Sequence, residues 1–101
     1  MIKITSEEEK TTVSITGSVD IVEAEKLKEA LNKIGETKPK EIIIDFKKVD
    51  LIGSVGIGQL LLASHRAKAW NGKIFIINVN SEIYSLFKLV KMDKQITISR
   101  A

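Results

Sequence analysis

The sequence predicts one α/β domain: a mixed, mostly parallel β-sheet packed with helices, in the order β-β-α-β-α-β-α-β. Three observations predict it. Two dense apolar runs, Ile42-Ile43-Ile44 and Ile74-Phe75-Ile76-Ile77, have the pattern of strands buried on both faces of a sheet. Stretches with apolar residues at helical spacing stand between the strand-like runs, which is the signature of βαβ units joined by right-handed crossovers. No linker, internal repeat or low-complexity segment interrupts the 101 residues, a length that suits one compact core.

The elements follow in order. Ile2-Lys3-Ile4 reads as a short strand, and Glu7-Glu8-Glu9-Lys10 as a polar hairpin tip. Thr12-Val13-Ser14-Ile15-Thr16 alternates with the period of a half-buried strand, so an antiparallel hairpin opens the fold, and Gly17 is expected to break the strand. Ala24, Leu27, Leu31 and Ile34 recur at helical spacing, with Asp20 placed to cap the helix start and Gly35 its end. Lys38-Pro39-Lys40 is a connector into the Ile42–Ile44 strand. The next helix runs to Trp70 and stops at Asn71-Gly72. The Ile74–Ile77 strand follows. Asn80 or Ser81 then caps a short helix carrying Ile83, Leu86, Phe87 and Val90, and Gln95-Ile96-Thr97-Ile98 closes as an edge strand.

Composition excludes several functions. There is no cysteine, hence no disulfide, thiolate metal site or cysteine nucleophile. Lys and Arg number 16 against 13 Asp and Glu, a net charge of +3 with the signs interspersed, which is not a nucleic-acid footprint. No apolar stretch approaches the roughly 20 residues that span a bilayer, and Met1-Ile2-Lys3-Ile4-Thr5 is unlike a signal peptide. A cytoplasmic protein without membrane insertion is the expectation.

The segment Leu51-Ile52-Gly53-Ser54-Val55-Gly56-Ile57-Gly58 carries the most functional information. It places a serine at a strand-to-helix turn, where unpaired backbone N–H groups favour negative charge. Ser54 is therefore either an N-cap or a serine poised to carry phosphate. Gly56 and Gly58 fall in the first helical turn, where glycine costs about 1 kcal/mol each relative to alanine, so something must approach closely there.

Three stretches, in order along nearly the whole chain, resemble the STAS domain of bacterial anti-sigma-factor antagonists. They are Gly17-Ser18-Val19-Asp20 before a helix with Leu27-Lys28-Glu29-Ala30-Leu31; Ile43-Ile44-Asp45-Phe46 followed by Leu51 to Gly58; and Asn71-Gly72-Lys73-Ile74 with Asn78-Val79-Asn80 and Leu89-Val90-Lys91-Met92-Asp93. The resemblance implies a non-enzymatic, partner-switching domain, and a chain of this size suits a monomer when free. Such a domain binds an anti-sigma factor that is also a serine kinase, is released when that kinase phosphorylates the loop serine, and is restored by a phosphatase. It implies Ser54 as the phosphate acceptor, and a partner surface of Asp20, Gly53, Ser54, Val55, Gly56 and Gly58. Two positions depart from the family loop: Gly53 stands where the family has aspartate and Val55 where it has a second serine. That departure leaves open a STAS module of a stress-signalling scaffold or a lipid-transporter complex, in which Ser54 is not phosphorylated.

The remaining chemistry-bearing residues have plainer readings. Asp20, Asp45 and Asp50 lack a histidine or further carboxylate to complete a metal or acid–base set, so no catalytic residue, metal or cofactor is expected. His65 has no nucleophile at a useful spacing, and Trp70 and Tyr84 read as packing residues.

Overall fold

The computed structural model describes all 101 residues. The strands are β1 (Ile2–Glu7), β2 (Lys10–Val19), β3 (Glu41–Ile52), β4 (Lys73–Val79) and β5 (Thr97–Arg100); the helices are α1 (Ile21–Thr37), α2 (Ser54–Ala67) and α3 (Ser81–Leu89). The five strands lie side by side in chain order. β1 and β2 pair antiparallel, and every later pair is parallel. The element order matches the expectation, and so does the opening hairpin.

Strands in sequential order joined by right-handed crossovers put every helix on the same face of the sheet. The burial pattern follows from that. One register row, Val13–Ile44–Ile76, is fully buried beneath the helices, while the neighbouring row Thr12–Ile43–Phe75 is only partly covered. The expectation that Ile42–Ile44 and Ile74–Ile77 are buried on both faces is therefore corrected: Ile43, Phe75 and Ile77 face the side of the sheet that carries no helix. The core gathers Leu27 and Leu31 of α1, Leu60 and Ala67 of α2, and Ile83 and Phe87 of α3 over the inner face of the sheet. Phe46 and Phe87 meet edge to face, with centroids 5.8 Å apart, in the geometry that aromatic quadrupoles favour.

Two glycines behave differently from their sequence reading. Gly17 does not end β2. It adopts φ +97° inside the strand, between two register shifts against β3, and the ladder continues to Val19. Gly35 lies within α1, and the left-handed C-cap is Lys38 (φ 49°), whose N–H bonds the Gly35 carbonyl. α2 ends at Ala67 and passes into a 3-10 turn, Lys68–Trp70, closed by left-handed Asn71. Trp70 Nε1 donates to the Pro39 carbonyl at 2.8 Å and so pins this turn to the connector before β3. No helix is long and apolar enough to cross a membrane.

Candidate functional site

Parallel strands deliver the starts of all three helices to the carboxyl edge of the sheet, where open α/β sheets place their sites. Because β2, β3 and β4 are neighbours, the starts of α1, α2 and α3 stand in a row, with α2 in the middle. The outer two are capped by side chains. Asp20 Oδ1 accepts from the Glu23 N–H at 2.9 Å, and Asn80 Oδ1 accepts from the Ile83 N–H at 2.8 Å. The middle one is not: its N-cap is Gly53, and no acidic residue lies in its first turn. The first intrahelical bond of α2 runs from the Ile57 N–H to the Gly53 carbonyl at 3.1 Å, so the N–H groups of Ser54, Val55 and Gly56 precede the helical ladder.

Ser54 is the first residue of α2, and it is exposed. The N-cap reading of Ser54 is thereby removed, since Gly53 holds that position with extended backbone (φ −92°, ψ 174°). A Cβ at Gly53 would meet only the Val19 carbonyl, at 3.8 Å, so the turn does not require glycine there. Gly53 N–H donates to that same Val19 carbonyl at 3.0 Å, which anchors the turn to the end of β2 beside Asp20.

The two helical glycines separate. Gly56 is buried, and a Cβ on it would lie 2.8 Å from Val19 Cγ1 and 3.0 Å from Ile52 Cγ1. The close approach that its cost implied comes from within the chain, so Gly56 seats α2 on the strand ends and does not itself face outward. Gly58 is exposed, and its missing Cβ would meet nothing within 4 Å. Around Ser54 the chain leaves large apolar side chains in solvent: Ile21 is 74% exposed, Val22 65%, Leu51 61% and Val55 43%. Sequence reasoning placed Val55 on the partner surface and Leu51 in the same loop segment, but gave no docking role to Leu51, Ile21 or Val22; their signal was apolar residues at the ends of elements, outside the periodic core positions.

The other candidates take structural places. Asp45 Oδ1 accepts from the Lys47 N–H at 2.9 Å and from Asn78 Nδ2 at 3.0 Å, which commits it to a structural role within β3. Asp50 and His65 are exposed. No group of three His, Cys, Asp or Glu is arranged to hold a metal ion. Tyr84 is half-buried between Lys88 and Arg100, whose charges lie 5.7 and 5.4 Å from its ring centroid.

Known proteins share this architecture. Over 54 residues, 54% of this chain, the sequence is 33% identical to the anti-sigma-F factor antagonist RsfB of Mycobacterium tuberculosis, a match spanning 44% of that protein, so the chain aligns with less than half of that relative. The fold superposes on the crystal structure of an anti-sigma factor antagonist from Mycobacterium paratuberculosis with a TM-score of 0.89 at 21% identity, covering 100% of this chain and 86% of that one. It also superposes on the Bacillus cell fate determinant SpoIIAA in its phosphorylated form, with a TM-score of 0.78 at 16% identity, covering 97% of this chain and 90% of that one. At such identities the solved structures speak for a shared fold. The family described as the STAS domain matches residues 1–101, the whole of the sequence, and the chain belongs to that family.

Proposed function

We propose that this STAS domain is an anti-sigma factor antagonist acting in the cytoplasm. It binds an anti-sigma factor that is also a serine kinase, which releases the sigma factor. Phosphorylation of Ser54 by that kinase ends the complex, and a phosphatase restores binding. The observation that carries this reading is the place of Ser54: an exposed hydroxyl opening the one helix without a side-chain cap, beside exposed Ile21, Val22, Leu51 and Val55. The name of the RsfB relative supports the anti-sigma factor antagonist part of this reading.

Magnitudes make Ser54 a switch on binding rather than on folding. A phosphoserine carries about −1.5 to −2 charges at pH 7. Within the domain, the open start of α2 offsets that charge by roughly 0.3–1 kcal/mol. In a packed contact, the same dianion loses water without a partner, at a cost of several kcal/mol. Asp20, Gly53, Val55 and the exposed Gly58 would line the docking surface, with Gly56 holding α2 in place beneath it.

Phosphate mapping tests the acceptor. The protein is incubated with ATP and a kinase-containing extract of the source cells, and tryptic peptides are read by mass spectrometry. Phosphate on the peptide carrying Ser54, absent from Ser54→Ala, is the expected result; equal labelling of both proteins contradicts it.

The Gly53 and Val55 departures favour a second reading, a STAS module of a stress-signalling scaffold or lipid-transporter complex with an unmodified Ser54. Gly53→Asp separates the two, because the backbone at 53 accepts a side chain. A phosphorylation rate that rises in this variant from a measurable wild-type level supports the switch. Absence of phosphate in both proteins supports the scaffold.

A further inference from the structure

The turn that follows α2 holds the chain's one Asn-Gly pair, and the structure demands both residues. Asn71 takes the left-handed position (φ 63°, ψ 30°), which asparagine tolerates better than most residues with a side chain. Its N–H donates to the Lys68 carbonyl at 3.2 Å, and the Gly72 N–H donates to the Ala67 carbonyl at 2.8 Å. Together these bonds form the Schellman pattern that closes helix ends. At Gly72 a Cβ would strike the Trp70 indole and lie 2.9 Å from the Pro39 carbonyl, so no side chain fits there. The Lys73 N–H, next along, donates to the Lys40 carbonyl at 2.9 Å and starts β4.

Asparagine followed by glycine is also the pair most prone to deamidation, because glycine leaves the attacking nitrogen uncrowded and the backbone free to turn. The deprotonated Gly72 nitrogen attacks Asn71 Cγ; the N–Cγ bond forms, the Cγ–Nδ2 bond breaks, and ammonia leaves. Water then opens the succinimide at either carbonyl, giving aspartate or isoaspartate. Closing that five-membered ring requires the Gly72 nitrogen to eclipse Asn71 Cβ. At ψ 30° the nitrogen stands almost opposite Cβ across the Cα–C bond, so no rotamer of the side chain brings Cγ to it. Its proton is also held by the Ala67 carbonyl. Asn71 itself is exposed, so the backbone and not access to water blocks the reaction. We infer that Asn71–Gly72 is a modification site gated by the fold: the closed turn withholds it, and local release of Trp70 from Pro39 opens it. Isoaspartate, once formed, adds a main-chain methylene inside the turn, which prevents the same bonds from closing again. Modification thereby makes the release permanent, at the end of α2 opposite Ser54.

The test incubates the whole protein in warm, mildly alkaline buffer and follows conversion of Asn71 by peptide mass spectrometry, with isoaspartate counted by enzymatic methylation. A free peptide of residues 66–75 gives the unprotected rate. Wild type is expected to react at least about tenfold more slowly than the peptide, since only the locally opened fraction reacts. Trp70→Phe keeps an aromatic ring but lacks the N–H that bonds Pro39, and should react severalfold faster than wild type. Neither protein's rate should climb with urea well below its unfolding midpoint, because local opening exposes little surface. The isolated isoaspartate form should show altered Trp70 emission. Wild type reacting at the peptide's rate, Trp70→Phe reacting no faster than wild type, or rates that rise with urea in step with global unfolding each overturn the inference. Unaltered emission from the isoaspartate form overturns the permanent release.

Discussion

The backbone N–H of Gly53 reaches the carbonyl of Val19 at 3.0 Å, tying the turn before α2 to the residue that precedes the Asp20 cap of α1. Val19 also pairs with Ile52 across the sheet, and Gly56 packs onto both side chains. The start of α2 is thus clamped from beneath while Ser54 and Val55 stay in solvent. A rigid floor under an exposed serine suits a site whose modification must alter a contact without unfolding the domain.

The two glycines of the first turn should respond oppositely to alanine. At Gly56 the added methyl falls 2.8 Å from Val19 Cγ1, an overpacking that costs about 1–3 kcal/mol. At Gly58 the methyl meets nothing, and the substitution should stabilise by up to about 1 kcal/mol through helix propensity and a more restricted unfolded chain. Urea midpoints of the two variants check this directly. Equal shifts in the same direction would show that α2 is not seated as described.

Asp20 has two separable jobs. Asp20→Ala removes the 2.9 Å bond from the Glu23 N–H and should cost about 1 kcal/mol of stability. Asp20→Asn keeps an acceptor oxygen at the cap while removing the charge, so stability should stay within about 0.5 kcal/mol of wild type while capture of the anti-sigma kinase weakens. Loss of stability in Asp20→Asn without loss of binding would leave the aspartate a helix cap alone.

Gly72→Ala should disturb the far end of α2. Its Cβ would fall on Trp70 Nε1 and 2.9 Å from the Pro39 carbonyl, displacing the indole from its 2.8 Å bond. A loss of about 1–3 kcal/mol is expected, with a changed emission from this single tryptophan. Unaltered emission and stability would mean that the bond does not fix the turn.

Element order and the opening hairpin were legible because turn residues and periodicity changed together along the chain, and Asp20 was legible as a cap from its place before Ala24 and Leu27. What the residues hid were relations between elements. Ile43 and Phe75 sit in dense apolar runs like those of strands covered on both sides, and only the sequential strand order reveals that one face lacks helices. Gly17 looked like a strand end because local propensity does not register a bulge that lets pairing resume. Gly35 looked like a cap, but Trp70 lies across it and Lys38 takes the left-handed position. The loop around Ser54 stood out by its glycines and serine, whereas the separate roles of Gly56 and Gly58 depend on neighbours from other elements.

The most direct test of the switch compares wild-type and Ser54→Glu proteins as baits in the source-cell lysate, with melting temperatures measured on the same samples. The account predicts that wild type retains an anti-sigma kinase, that Ser54→Glu loses it, and that the two proteins melt nearly alike. Equal capture by both baits, or a large drop in melting temperature with capture intact, would contradict it.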